Sequence, residues 1–109
     1  MIAMLALYSL GGLIIAGISV PLILYKIPPN SFFGFRNQST RDNPRLWYKI
    51  NAYAGMRLLV TGLGTAVGSN ILYYLSASLE EYALSCLGVF LALFLWTMIT
   101  SFLYMRANR

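Results

Sequence analysis

Residues 58–105 read LLVTGLGTAVGSNILYYLSASLEEYALSCLGVFLALFLWTMITSFLYM, and the charges in this stretch are Glu80 and Glu81. The acid pair divides it into two uncharged runs, Leu58–Leu79 (22 residues) and Tyr82–Met105 (24 residues). Each exceeds the roughly 18 apolar residues that mark a membrane-spanning helix. A third uncharged run, Ile2–Tyr25 (24 residues), opens the chain. The fold class that follows is an all-α membrane protein with three transmembrane helices, at approximately 2–25, 58–78 and 82–105. Residues 1–109 read as a single integral membrane domain, with a loop and an amphipathic helix in 26–57 between the first two spans.

The turn inside the quoted stretch is short and its chemistry is legible. Ser78-Leu79-Glu80-Glu81 has the form of a capping box, with the Ser78 hydroxyl accepting from the Glu81 amide and the Glu81 carboxylate reaching back. Both acids face a helix N-terminus, which favours negative charge. The second and third spans therefore form an antiparallel hairpin. Tyr73, Tyr74 and Tyr82 flank it as one aromatic belt, and Tyr25, Trp47, Tyr48 and Tyr104 supply the other. The first span has no Lys or Arg before it, and its 24 uncharged residues exceed a signal-peptide core, so it reads as a retained helix. Pro21 kinks its last turn.

Charge sets the expected orientation. The first connection holds Lys26, Arg36, Arg41, Arg45, Lys49 and Arg57 against Asp42, whereas the second holds Glu80 and Glu81; Arg106 and Arg109 close the chain. The positive-inside rule places the long loop and the C-terminus in the cytoplasm and the N-terminus outside. A net charge of +5 and a pI near 9.7 are the balance of many nucleic-acid-binding chains. These cations flank spans, however, where they meet anionic lipid headgroups, so the partner is the bilayer and not nucleic acid. With no His, one Cys and three carboxylates, the chain cannot build a His/Cys zinc site, a serine–histidine triad or a disulfide framework of its own. The reading is a non-enzyme without a cofactor.

The loop holds the remaining detail. Pro28-Pro29 end the first helix, since neither can donate an amide bond. Phe32, Phe33 and Phe35 surround Gly34, which permits a turn that brings Arg36 back toward the headgroups. Asn43-Pro44 begins a new helix, Asn as cap and Pro at the first position. Leu46, Trp47, Ile50, Tyr53 and Ala54 form its apolar stripe, opposite Arg45 and Lys49. A single helix from 44 to about 77 would be roughly 50 Å long, beyond a hydrocarbon core of about 30 Å. It either projects from the membrane or bends near Gly55 and lies on the surface. Arg57 snorkels to the interface or pairs with Asp42, and Asn51 and Asn70 can bond between helices. Gly64 and Gly68 form a GxxxG motif for helix packing, with Gly12-xxx-Ala16 and Gly88-xxx-Ala92 as matching grooves. Its partner is another helix of the same chain or a second copy in a homo-oligomer.

Pro29-Asn30, Gly34-Phe35-Arg36, Trp47 and Asn51, with Gly55 behind and a helical hairpin following, resemble the signature of the SdpI family of bacterial membrane proteins. Asn37 and Asn43-Pro44-Arg45 depart from the family pattern. The resemblance implies a bacterial inner-membrane protein that gives immunity to a membrane-active toxin peptide or signals its presence, with the peptide or a cytoplasmic regulator as partner. It also implies that Asn30, Gly34, Arg36, Trp47 and Asn51 form the functional loop. The alternative is a small accessory or regulatory subunit of a larger membrane complex, docked through the Gly64–Gly68 face.

Overall fold

The computed structural model describes residues 2–30 and 42–108 and contains three helices, α1 (Ile2–Ile23), α2 (Pro44–Leu75) and α3 (Leu79–Asn108). All three are long and apolar enough to cross a membrane, the mark of a multi-pass membrane protein. They run antiparallel in sequence, with α2 in the middle and packed along both neighbours. The bundle measures 49 × 23 × 18 Å. Its long axis matches the roughly 48 Å expected of the 32 residues of α2 at 1.5 Å each.

α2 starts where Asn43-Pro44 place it: the Asn43 side chain accepts from the Leu46 amide at 3.2 Å, and Pro44 occupies the first turn. The helix continues unbroken through Gly55, so the bend that a glycine would permit does not occur. Gly55 serves close approach instead. A Cβ there would lie 3.0 Å from Ile23 Cγ1 and 3.1 Å from both Leu22 Cβ and the Ser19 carbonyl, because the end of α1 rests on it.

α1 stops two residues before its uncharged run does, and before the proline pair. Tyr25 adopts φ 61°, in the left-handed region. The Lys26 amide bonds the Pro21 carbonyl at 2.9 Å and the Tyr25 amide bonds the Leu22 carbonyl at 3.4 Å. This is a Schellman cap with tyrosine where glycine is usual. Stacking of Tyr25 on Tyr48, at 5.5 Å between centroids, holds the residue there.

Burial is reversed relative to a water-soluble fold. The buried positions include Ala16, Ser19, Thr61, Thr65, Ala66, Ser69, Thr97 and Ser101, while Leu7, Leu10, Ile14, Val67, Ile71, Leu95, Ile99 and Leu103 point outward. Lipid is as apolar as leucine, so large side chains gain little from the interior, and small ones let helices approach. Thr61 joins α2 to α3. Its Oγ1 lies 2.8 Å from Thr97 Oγ1 and 3.2 Å from the Leu93 carbonyl. Thr61→Val keeps the shape and removes the bond, and should weaken the hairpin by about 0.6–1.7 kcal/mol. Steric-trap or detergent unfolding would measure it, and an unchanged midpoint would show that the hydroxyl pair contributes nothing.

The acidic end is closed by tyrosines. Tyr82 is fully buried, its hydroxyl donating to the Ser69 carbonyl at 3.1 Å, so it belongs to the interior and not to the lipid-facing belt. Tyr74, which is 85% exposed, faces outward. Tyr8 donates to the Ala83 carbonyl at 3.1 Å and meets the Tyr82 ring edge-on. Asn70 bonds Ser9 across α1 and α2 at 3.1 Å. In the turn, the Glu81 amide bonds Ser78 Oγ at 3.2 Å, and the Glu81 carboxylate accepts from Ala77, one residue further back than in a capping box.

Candidate functional site

The opposite end of the bundle gathers Lys26, Arg45, Lys49, Arg57 and Arg106, since α1 and α3 finish there and α2 begins there. Length explains its architecture. The 22 residues of α1 span about 33 Å, close to a hydrocarbon core, whereas α2 extends beyond it by nearly three turns. Those extra turns, residues 44–54, pack against the C-terminal turns of α3 and against the chain that leaves α1.

Trp47 is the anchor. It is fully buried, and its indole N–H donates to the Ile27 carbonyl at 2.8 Å, tying α2 to the segment after α1. Ile50 and Leu46 bury beside it against Met105 and Tyr104. Asn51 is also buried, one turn on from Trp47, and its Nδ2 donates to the Trp47 carbonyl at 3.0 Å. A buried amide must satisfy its polar atoms or incur a desolvation cost, so this position is specified by hydrogen bonding and not by volume.

On the neighbouring face Lys49, Tyr53 and Arg57 stand four residues apart. Tyr53 stacks flat on Tyr104 of α3, with centroids 3.8 Å apart and planes 4° from parallel. The Arg57 guanidinium lies 3.7 Å from the Tyr53 centroid and 5.3 Å from that of Trp96. Lys49 Nζ lies 5.7 Å from the Tyr104 centroid and donates to Asn108 Oδ1 at 2.7 Å. The result is a ladder of cations and rings bridging α2 and α3. No ion pair between Arg57 and Asp42 forms among the described residues. Arg57 is held by ring faces, and its Nε is buried without a hydrogen-bond partner. The guanidinium is more weakly hydrated than an ammonium and stacks on aromatics, which suits it to this boundary position.

Of the residues singled out in the sequence, Trp47 and Asn51 are brought together. Asn30 lies on the segment that Trp47 grips, its Nδ2 donating to the Pro28 carbonyl at 2.8 Å. Gly34 and Arg36 lie outside the described residues. Gly64 and Gly68 sit farther along α2 and face α3, where a Cβ would meet Leu93 Cδ1 at 2.8 Å and Val89 Cγ1 at 3.6 Å. The closest backbone approach is elsewhere. A Cβ at Gly62 would clash with the Gly12 carbonyl and lie 2.6 Å from the Ala16 nitrogen, and one at Gly12 would clash with the Gly62 carbonyl. Gly12-xxx-Ala16 thus docks on Gly62-xxx-Ala66, while a Cβ at Gly88 would meet nothing within 4 Å. Gly62 is one of the small residues beside the Gly64–Gly68 motif in the sequence, but the pairing of Tyr53 with Tyr104 was not read there. The i, i+4 spacing of Tyr53 and Arg57 was a usable signal for their contact, but no spacing within one helix reports a ring on another.

The described residues hold no group of three or more His, Cys, Asp and Glu side chains that could bind a metal ion. An open cleft of about 670 Å³ lies beside the ladder, lined by Ile23, Tyr25, Arg45, Tyr48, Lys49, Ala52, Tyr53, Met56 and Tyr104.

Residues 26–104 match the model of the SdpI/YfhL protein family, a match that takes in the basic end, α2 and most of α3. Among curated proteins, "Uncharacterized protein YfhL" of Bacillus subtilis (strain 168) is 37% identical over 70 residues, covering 56% of this chain and 60% of the relative. The chain therefore spans about 60% of the length of that relative. No solved structure matches.

Proposed function

The chain belongs to the SdpI/YfhL family, and from that membership we propose that it protects a bacterial cell against a membrane-active toxin peptide or signals the peptide's presence. The match over residues 26–104 carries this reading. The protein acts as a non-enzyme in the inner membrane, its N-terminus outside and its basic end in the cytoplasm, the orientation the positive-inside rule favours. Within the bilayer the bundle senses or occludes the peptide. At the basic end Trp47 and Asn51 hold the cytoplasmic surface together, and the loop carrying Asn30, Gly34 and Arg36 contacts the peptide or a regulator. A guanidinium can grip a carboxylate or phosphate with two parallel bonds, which is why Arg36 is the residue to test first.

The experiment is expression in strains killed by secreted membrane-active peptides. Survival should rise well above that of cells carrying empty vector. Arg36→Ala should abolish the gain with an unchanged amount of protein in the membrane. Survival equal to empty vector across the toxins, with the protein present in the membrane, would overturn the proposal.

A further inference from the structure

The cleft at the basic end lies where α1 has stopped and α2 continues. Ile23, the last residue of α1, forms part of its wall, and Met56 lines it further along α2. Arg45 and Lys49, both exposed, line it toward the start of α2. From Arg45 to Met56 is 11 residues of continuous helix, about 16 Å. The lining thus changes from cationic to apolar over roughly the distance from a headgroup phosphate into the upper acyl chains. α2 itself, at about 48 Å, exceeds the roughly 40–45 Å of a whole bilayer with its headgroups, so with α1 filling the hydrocarbon core the first turns of α2 reach into or past the headgroup layer. Tyr25 and Tyr48 stack at the side of the cleft and supply hydroxyls at the same level. No carboxylate lines it among the described residues.

We propose that this cleft seats one anionic phospholipid, its phosphate between Arg45 and Lys49 and the first methylenes of its acyl chains along Ile23 and Met56. Two features favour a lipid over a soluble anion. The cleft's apolar part would remain wet under a free phosphate, and its position at the end of α1 opens it to the headgroup layer. Lys49 is already oriented by its bond to Asn108, which reduces the entropy lost on binding. The site is independent of any toxin-related role.

Native mass spectrometry of the full chain, released from micelles holding equal amounts of phosphatidylglycerol and phosphatidylcholine with identical acyl chains, tests it. Phosphatidylglycerol should be retained with about thirtyfold preference, the scale expected of two cations near a membrane surface. The double variant Arg45→Gln, Lys49→Gln should bring that preference near parity. Arg106→Gln, which removes a cation at the same end but outside the cleft, should leave it intact. Circular dichroism would confirm equal helix content for all variants. Equal loss in Arg106→Gln and the double variant would reduce the effect to net charge and overturn the site. Displacement of the lipid by excess inorganic phosphate would overturn the lipid assignment, as would a wild-type preference in the double variant.

Discussion

Gly62→Leu forces α1 away from α2 and costs about 3 kcal/mol of bundle stability, the upper part of the range for overpacking a close contact. The reason is geometric. The atoms in the way are backbone, the Gly12 carbonyl and the Ala16 nitrogen, and neither can rotate aside as a side chain does. The helices must separate, and with them go the close contacts over Gly12, Ala16 and Ala66 and the weak bond of Ser9 to Ser69 at 3.3 Å. Gly64→Leu meets the flexible end of Leu93 and should cost about 1 kcal/mol, while Gly88→Leu, with open space around it, should cost about nothing. Unfolding of the three variants in mixed micelles, followed by circular dichroism, gives the ranking. Equal damage from Gly62→Leu and Gly64→Leu would refute the placement of the tight contact between α1 and α2.

Trp47→Ala should cost about 3–5 kcal/mol, the usual range for emptying a fully buried aromatic site. The loss has two parts that a second variant separates. Trp47→Phe retains most of the packing against the end of the bundle but leaves the Ile27 carbonyl without its indole donor, a change of about 1 kcal/mol. Hydrogen exchange supplies the localisation: the amides of Leu24, Tyr25 and Lys26, bonded at the end of α1, should lose protection in both variants, whereas the Tyr8–Tyr82 end should not respond. If exchange rises at the tyrosine end and stays unchanged at Leu24, Tyr25 and Lys26, Trp47 does not tether the segment after α1.

How much of this was legible in the chain depends on the range of the interaction. Local features read directly. Asn43-Pro44 form the cap and first turn of α2, Ser78 caps α3, and Leu46, Trp47, Ile50 and Ala54 bury as one stripe because residues three and four apart share a helical face. The end of α1 was harder. The proline pair suggested a stop, but the chain turns earlier through a left-handed tyrosine, a conformation that residue type disfavours and that the stack on Tyr48 supports.

Contacts between helices were legible only as candidates. Gly62, Gly64 and Gly68 offer three overlapping small surfaces on α2, and which one meets α1 depends on the rotation of the helix about its axis. That rotation is set by everything α2 touches at once: Thr61 with Thr97 and Leu93 on one side, Gly55 under Ile23 on the other, and Tyr53 on Tyr104 at the end. The uncharged runs and the caps, determined by the sequence alone, establish three helices and the turn between the last two, because apolar length and local hydrogen bonding are properties of consecutive residues. The seam at Gly12–Gly62, the burial of Tyr82 and the ladder of Arg57, Tyr53, Tyr104 and Lys49 were decided by tertiary structure, because each joins residues whose proximity depends on how whole helices are rotated and shifted against one another.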